Sequence, residues 1–195
     1  MSWSLTVTTP PAFEAMTIAE LKALLHFDGT DEDAVLLMTL GIAREFFEAD
    51  INRSVVTQTL TYTADAFPSS SVCPILLPRP PLQSITHVKY YDADGVQQTW
   101  TASNYAFDTV RYPARLRPAY NINWPTTRDQ MNAIEVRYVA GFSSPALVPA
   151  RYRHAIALLA GHMLENREAG APIKIEEVPL AYQHLTTSLR NWDFG

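Results

Sequence analysis

Residues 75–95 decide how the rest of this chain is interpreted, and they read Ile75-Leu76-Leu77-Pro78-Arg79-Pro80-Pro81-Leu82-Gln83-Ser84-Ile85-Thr86-His87-Val88-Lys89-Tyr90-Tyr91-Asp92-Ala93-Asp94-Gly95. The opening apolar triplet is typical of a short buried strand. The prolines at positions 78, 80 and 81 fix the backbone φ angle and lack amide donors, which excludes them from the middle of a sheet. They predict a rigid corner before a second strand, Ser84–Tyr91. Asp92–Gly95 predicts a tight turn, because Asp bonds its local backbone and Gly accepts a positive φ.

Strand patterns lie on both sides of this stretch. Polar and apolar side chains alternate over Val55–Tyr62 and Ala133–Val139, as expected for strands with one buried face. No helical pattern separates the predicted strands, so we expect antiparallel pairing. The remaining predicted strands are Val96–Trp100, Tyr105–Asp108 and Arg115–Arg117.

Helix patterns lie outside this β region. Thr17 followed by Glu20 is a capping-box pattern that starts the first helix, and Gly29 is its expected stop. Thr30 is the expected cap of the second helix. The predicted helices are Thr17–Phe27, Asp31–Asn52, Pro149–Arg167 and Pro179–Trp192.

The order of these patterns predicts an α+β fold, with a helical bundle formed by the N- and C-terminal helices and an inserted antiparallel β region. The predicted organisation is an N-terminal arm at 1–16, a helical hairpin at 17–54, the β region at 55–142 and C-terminal helices at 143–195. The last segment would form one bundle with 17–54. The helices can meet in one bundle only if the ends of the β region, near Val55 and Phe142, lie close together.

The second predicted helix is apolar over a wide surface. Val35, Met38, Ile42 and Phe46 recur at helical spacing on one face, and further apolar residues widen it. Such a helix is either central in a bundle or shared with another subunit. Gly41 costs about 1 kcal/mol of helix stability relative to Ala, which favours the close approach of another backbone at this point.

The composition is that of a globular protein with a polarised charge. Although 47% of the residues are hydrophobic, no apolar run approaches the length of a membrane helix, and Met1–Leu5 lacks signal-peptide features, so secretion is not expected. Cys73 is the single cysteine, which excludes an intramolecular disulfide, and we expect it to be buried beside an apolar strand. Residues 1–78 carry 3 basic and 10 acidic side chains, whereas residues 79–153 carry 9 and 5. This gradient fits either ordinary surface charge or contact with an oppositely charged partner, including head-to-tail contact between copies.

The sequence contains no recognisable catalytic, cofactor-binding or metal-binding motif. A Gly-rich phosphate loop, Gly-x-Ser-x-Gly, His-Glu-x-x-His and an EF-hand loop are all missing. Asp92–Gly95 resembles the start of a calcium loop, but Ser103 stands where the final acidic ligand is needed. His154 and His162 would lie two helical turns apart, about 12 Å, which is too far for one metal ion. We therefore expect no metal site.

Basic and aromatic side chains are mixed near the end of the β region, at Arg111, Tyr112, Arg115, Arg117, Tyr120, Trp124 and Arg128. Such residues contact nucleic acids, but no base-stacking or groove-reading motif accompanies them. Arg, Tyr and Trp are also favoured in protein interfaces, which is the interpretation we prefer.

Several stretches together carry a family resemblance: Leu77–Ile85 with Val88–Gly95, Leu21–Leu25 ahead of the acidic Asp28–Asp33, Val136–Phe142 and Glu165–Glu168. With them the chain resembles the head–tail connector (neck adaptor) proteins of long-tailed phages and of phage-derived gene transfer agents. The resemblance spans nearly the whole chain from about Thr17. Its motifs are structural, so they indicate an architecture better than a chemistry.

The resemblance implies a protein of the virion neck, made in the host cytoplasm, with no catalysis, no cofactor and no membrane partner. It implies a ring of twelve copies on the portal of a DNA-filled capsid. The ring would extend the channel through which double-stranded DNA passes without sequence-specific binding, and it would join the capsid to the stopper and the tail. In related adaptors the C-terminal segment docks on the portal. Here that segment is Ile173–Gly195, with Leu189, Trp192 and Phe194 as the expected contacts.

If the chain forms a ring, some of its predicted surfaces would contact neighbouring subunits and others would line the channel. The expected subunit contacts are Val35, Met38, Ile42 and Phe46 on the second helix and Tyr91 and Asp94 on the hairpin. DNA must slide without sticking, so we expect acidic side chains to line the channel. The candidates are Glu45, Glu48 and Asp50.

Two other functions stay open. One is another neck or tail-completion protein such as a stopper, a class that is mostly β, whereas this sequence has strong terminal helices. The other is an oligomeric DNA-processing factor of phage origin, which the missing motifs disfavour.

Overall fold

The computed structural model describes residues 2–165 and 180–190. Within these ranges it contains four α-helices and two antiparallel sheets, which confirms the predicted α+β class. The chain divides into two compact units. One, the β unit, comprises the chain up to Pro11 and Thr57–Gly141; the other, the helical unit, comprises Ala12–Val56 and the described residues from Phe142 onward.

Five strands of the β unit form one antiparallel sheet. In spatial order they are β1 (Trp3–Thr9), β2 (Gln58–Ala64), β8 (Ile134–Ala140), β4 (Leu82–Tyr91) and β5 (Gln97–Trp100). The alternation seen in the sequence turns Leu60, Tyr62 and Val136 toward the core. It turns Thr63 and Glu135, which are cross-strand partners, to the opposite face.

Three shorter strands form a second antiparallel sheet. Its order is β3 (Ile75–Leu77), β7 (Ala114–Pro118) and β6 (Tyr105–Asp108). Both sheets contribute to one hydrophobic core, with Val136 and Tyr138 from the first sheet and Leu77 and Leu116 from the second. The β unit is therefore built from two sheets that share a core.

The proline-rich corner carries the chain from one sheet to the other. β3 ends at Leu77 in the three-stranded sheet, and β4 begins at Leu82 in the five-stranded sheet. Between them, the buried Tyr138 hydroxyl donates a hydrogen bond of 2.6 Å to the carbonyl oxygen of Pro78, and Arg79 has a φ of +57°. The prolines thus stand where the chain changes sheets and no ladder hydrogen bond is needed.

Four α-helices build the second unit. They are α1 (Ile18–Leu25), α2 (Asp33–Ile51), α3 (Ala150–Glu165) and α4 (Leu180–Thr187). All four contribute to a second core, in which the Phe47 ring of α2 lies edge-on to Tyr152 of α3 at 5.4 Å and to Tyr182 of α4 at 6.2 Å between centroids. Burial of such aromatic pairs adds about 0.5–1.5 kcal/mol each beyond the area they remove from water.

The ends of the helices follow local chemistry. Thr17 and Glu20 form the predicted capping box: the Glu20 amide donates to Thr17 Oγ1 at 3.2 Å, and the Thr17 amide donates to Glu20 Oε2 at 2.8 Å. α1 then ends at His26, which takes a left-handed φ of 52°, before Gly29 is reached. The predicted cap of α2 by Thr30 is wrong, because Glu32 occupies the N-cap and makes no side-chain cap bond.

The glycine that allows close packing between helices is not the one that the sequence indicated. A Cβ at Gly41 would lie 3.5 Å from a Glu14 carboxylate oxygen, an ordinary side-chain contact, so the backbone approach expected there is wrong for the described part of the chain. At Gly161 a Cβ would lie 2.8 Å from Leu25 Cδ2. The glycine that permits close packing is therefore on α3, facing α1.

The two ends of the inserted β segment meet. The Phe142 amide donates to the Val55 carbonyl oxygen at 3.1 Å, and Val56 forms a parallel bridge with Phe142. The chain therefore leaves the helical unit and returns to it at one place, as the helix–β–helix order requires.

The structure differs from the sequence-based expectations at the N-terminal arm and at Cys73. Trp3–Thr9, expected as part of an extended arm, is strand β1 and pairs with β2. Cys73 is exposed, so its expected burial is wrong. The reason is local. The backbone amide of Cys73 donates a hydrogen bond of 3.1 Å to the Ser70 carbonyl oxygen and closes a turn, and β3 begins only at Ile75.

Candidate subunit-contact surfaces

The α2 apolar face consists of Val35, Met38 and Ile42. They lie on one side of the helix and are 36%, 63% and 49% exposed. Three large apolar side chains in a row on a solvent-facing helix surface are unusual unless a partner covers them. The structure thus brings together three of the four helix residues that the sequence predicted as subunit contacts.

Phe46, the fourth residue of that prediction, lies differently. Its ring is partly buried against the helical core, 6.3 Å from the Tyr182 ring. Most of its apolar surface is therefore used inside the subunit, and only its exposed part remains for a neighbour.

Arg44 of α2 is the centre of a buried ionic network. The Arg44 guanidinium donates through Nε to Glu14 at 2.8 Å and through Nη1 to Glu48 at 3.1 Å. Arg44 and Glu48 are 4% and 2% exposed. Burial opposes the Arg44 charge, but the hydrogen bond to Glu14 and the charges of Glu48, Glu14 and Glu45 outweigh it and raise the pKa of Arg44. Each charge of the pair has a charged partner, which offsets part of the free-energy cost of burying it.

Glu48 also fixes the point at which the chain leaves the helical unit. Its second carboxylate oxygen, Oε1, accepts a 2.6 Å hydrogen bond from the backbone amide of Val55. A carboxylate used in this way within the core cannot line a channel, so the expectation for Glu48 is wrong.

The other two channel candidates differ in exposure. Asp50 accepts hydrogen bonds from Arg190 at 2.7 Å and from the Tyr182 hydroxyl at 3.2 Å, so it ties α2 to the C-terminal part of the described chain. Burial, together with the neighbouring Asp50 charge, raises the pKa of Tyr182 far above its ordinary value. The Glu45 side chain is 73% exposed. Glu45 is therefore the most exposed of the three acidic candidates, although its carboxylate lies 3.5 Å from the Arg44 guanidinium.

The β4–β5 hairpin is held by the Asp92 carboxylate. It accepts hydrogen bonds from the Gln98 amide at 2.8 Å and from the backbone amides of Val96 at 2.9 Å and Asp94 at 3.1 Å. The hydrogen bond from the Gln98 side chain and those from the backbone amides stabilise the carboxylate, and they lower the pKa of Asp92. Gly95 closes the turn with a φ of +82°, as the sequence predicted.

The two hairpin residues predicted as subunit contacts differ in burial. Asp94 is exposed at the turn, whereas Tyr91 is half-buried and its carbonyl oxygen accepts the Arg128 amide at 3.1 Å. The Arg128 guanidinium lies so close to Gly95 that a Cβ there would collide with it. Arg128 thus packs against the turn, and Asp94 at its tip is exposed to solvent.

The expected portal contacts are only partly described. Leu189 is 3% exposed and belongs to the helical core, and its carbonyl oxygen accepts a 3.0 Å bond from Arg53 Nε. It cannot dock on another protein in this arrangement, so that expectation is wrong. Trp192 and Phe194 lie outside the described residues.

The basic and aromatic residues of the β unit differ in their exposure and in their contacts. Arg115 is paired with Asp108 at 2.6 Å. Trp124 stacks on Phe67 at 4.8 Å, within an aromatic cluster that includes Trp100. Tyr120, at 92% exposure, is the aromatic side chain most open to solvent in this set. Trp124 is therefore a packing residue rather than a base-stacking one.

The described residues contain neither a candidate metal cluster nor a candidate membrane-spanning helix. Residues 2–165 and 180–190 hold no group of three His, Cys, Asp or Glu side chains that could bind a metal ion. None of the helices in these ranges is both long and apolar enough to cross a membrane.

Two features of these surfaces could not be predicted from the sequence. The spacing of Arg44 and Glu48 signals a pair on one helix, but their burial depends on Glu14, which lies 30 residues before Arg44. The position of β1 at a sheet edge could not be predicted either, because its paired residues in β2 lie 50 or more positions away, as in Thr9 and Thr59.

Solved structures with the same fold come from gene transfer agent (GTA) particles. A chain in the neck of an empty GTA particle, computed with C6 symmetry, matches with a TM-score of 0.77 and 22% identity, over 96% of this chain and 95% of that one. A chain in the virion of a native GTA particle matches with a TM-score of 0.74 and 22% identity, and one in the neck of a native particle computed with C12 symmetry with 0.73 and 23%. Both cover the same shares of the two chains. At these identities the likeness establishes the fold.

Sequence comparisons add no relatives. No protein-family model matches the chain. A search of curated proteins found no similar sequence.

Proposed function

We propose that this chain is a structural head–tail connector (adaptor) subunit of a virion neck. In this function the subunits form a ring of twelve copies under the portal, extend the DNA channel and join the filled capsid to the stopper and the tail. The observation that carries the proposal is the shared fold with chains of GTA necks over 96% of this chain and 95% of the matched chain. Because both chains are covered almost completely, the likeness includes the fold of each unit and not one common motif.

The α2 apolar face supports the proposal of a ring. A cyclic ring needs two different, complementary surfaces on each subunit, since each copy contacts its neighbours head to tail. Val35, Met38 and Ile42 supply an apolar surface that a neighbour would remove from water. Asp94 at the tip of the β4–β5 hairpin supplies a separate, polar contact. In this proposal the four helices form the bundle at the base of the ring.

The channel is assigned to the acidic surface of the helical unit. DNA phosphates are repelled by carboxylates, so an acidic wall lets the duplex move without sticking. Glu45 is the exposed acidic residue on α2 that fits this role. Trp192 and Phe194 remain the proposed contacts with the portal.

A stopper or another neck-completion protein is the second candidate. The observation that favours it is the size of the β unit, with eight strands in two sheets. The two candidates differ in their partner: an adaptor binds the portal directly, whereas a stopper binds only after the adaptor is in place.

Negative-stain microscopy of the purified protein, alone and mixed with portal protein, tests the proposal. Rings on isolated portal support the adaptor function. Binding only to a portal that already carries another neck protein supports the stopper, and a protein that stays monomeric with every neck component contradicts both.

The contribution of the α2 apolar face is tested by Met38→Glu. We expect this substitution to abolish rings while leaving the circular dichroism spectrum unchanged, because Met38 is already 63% exposed. Met131→Glu is the matched control, since Met131 is 84% exposed in a loop of the β unit and receives the same charge. Equal loss of rings in both variants would contradict the assignment of the contact to α2.

A further inference from the structure

In the part of the chain that the structure describes, β1 is an edge strand of the five-stranded sheet. It pairs with β2 on one side, and no described strand pairs with it on the other. It is seven residues long, and six of the seven side chains are exposed. An edge of this kind presents a row of unpaired backbone N–H and C=O groups, which is a template for another strand.

The β1 edge lacks the usual protection against pairing. Natural edge strands carry charged side chains or prolines, or are very short. Trp3–Thr9 contains no charged residue and no proline. Its one irregularity, a register shift between Val7 and Thr9, lies at the end of the strand. From Ser4 onward, an edge without charges or prolines is expected to be paired in the assembled protein.

The same sheet has a second open edge at β5. Gln97, Gln98 and Thr99 are exposed, and this strand also lacks charges and prolines. Joining the two edges therefore brings no like charges together. Each subunit thus carries both halves of a possible strand-to-strand contact.

The side chains at the two edges are arranged on matching faces. The cross-strand register places Leu5 of β1 and Trp100 of β5 in one row across the sheet, on its core-facing side, together with Tyr62, Val136 and Val88. Ser4 of β1 and Thr99 of β5 lie in the neighbouring row on the polar side. A strand added to β1 would also cover Trp3 and Val7, which are 42% and 49% exposed on the apolar side.

We propose that β1 of one copy pairs with β5 of the next copy, so that the five-stranded sheets of neighbouring subunits join edge to edge. Because the two strands are at opposite edges of one sheet, the contact is head to tail and can be repeated around a ring. Pairing of β1 with β1 would instead close a two-fold dimer and leave both β5 edges open. The choice of a second copy as the partner rests on the proposed ring function. The backbone hydrogen bonds provide the attraction, and the alternating faces set the register.

Crosslinking between two different cysteine variants tests the pairing. In a Cys73→Ser background, one variant carries Thr6→Cys on β1 and the other carries Thr99→Cys on β5; both positions are exposed on the polar face. The proteins are concentrated, alone and mixed, and treated with a short bismaleimide. We expect a crosslinked pair in the mixture and not in either variant alone. Thr86→Cys is the matched control, because Thr86 is exposed on β4, an inner strand of the same sheet.

Three outcomes would overturn the inference. Crosslinking of Thr6→Cys with itself indicates β1–β1 pairing, and crosslinking of the control to the same extent indicates random collision. No product in the mixture, under conditions where microscopy shows rings, refutes the β1–β5 contact but leaves the ring function intact. A specific product without rings on any portal would instead support the β1–β5 contact and contradict the proposed ring function, so the two proposals fail separately.

A charge pair gives an independent measurement. Thr6→Lys is expected to raise the protein concentration needed for half-assembly about tenfold, and Thr99→Glu in the same chain to reverse most of that rise. Circular dichroism verifies that each variant is folded. A double variant that assembles no better than Thr6→Lys alone would contradict the pairing of these two edges.

Discussion

Replacing Glu48 with Gln is expected to destabilise the helical unit because it leaves a buried cation with one fewer anion. Glu48 is 2% exposed and binds the Arg44 guanidinium at 3.1 Å and the Val55 amide at 2.6 Å. Gln keeps the shape of the side chain and an oxygen that can accept the Val55 amide. The substitution therefore removes the charge without creating a cavity.

The expected loss in the free energy of unfolding is about 2–3 kcal/mol. Breaking a buried ion pair by removing one partner costs about 3–5 kcal/mol, because the remaining charge is uncompensated. Arg44 retains its 2.8 Å bond to Glu14, which places this case at or below the lower end of that range. In urea, where small proteins lose about 1–3 kcal/mol of stability per molar, the transition midpoint should fall by about 1 M.

Urea titration followed by helical circular dichroism measures this shift. Glu45→Gln is the matched control: it lies on the same helix, and its carboxylate is 3.5 Å from Arg44, but its side chain is 73% exposed. An exposed pair contributes about 0–1 kcal/mol, so the midpoint of the control should barely move. Equal shifts in the two variants would refute the buried network and restore Glu48 as a candidate for the channel wall.

Two further predictions concern the β unit. Tyr138→Phe leaves the buried Pro78 carbonyl oxygen without its 2.6 Å donor and should cost about 1–3 kcal/mol in thermal unfolding, whereas the 92% exposed Tyr120→Phe should cost about 0.5 kcal/mol or less; similar losses would contradict the role of Tyr138 at the corner. Asp92 should titrate below its ordinary pKa of 3.8 by NMR, because Gln98 and the turn amides favour the carboxylate. Its contribution to hairpin stability is then present above that value and lost as the pH falls through the lower pKa of the folded state. A midpoint at or above 3.8, or the same acid dependence in Asp92→Asn, would contradict this.

Much of the local structure follows from short-range rules in the sequence. The Thr17–Glu20 capping box is formed because both bonds lie within one helical turn. Tyr105–Asp108 was predicted with its observed bounds, and the Asp92–Gly95 turn was predicted because the backbone amides that bind Asp92 are at most four residues away. The corner at residues 78–81 was predicted because proline excludes a central strand wherever the rest of the chain lies.

The candidate surfaces were predictable only where periodicity sufficed. Spacing alone placed Val35, Met38 and Ile42 on one helix face, and all three are exposed. Spacing could not distinguish Glu45 from Glu48, which are both acidic residues on α2. Their exposures differ because other segments, carrying Glu14 and Val55, cover one and not the other.

The sequence by itself determined the kind and order of the elements, because helix caps, the helical and two-residue periodicities and turn chemistry act over a few residues. Only the tertiary structure decided which edges and side chains remain open. Trp3–Thr9 became an edge strand through pairing with β2, a strand that begins at Gln58, and Leu189 became a core residue through contact with elements far away in the chain. Long-range contacts of this kind depend on how whole elements pack against one another, so no local pattern encodes them. For the same reason, the edges that we propose to join neighbouring subunits became visible only in the folded chain.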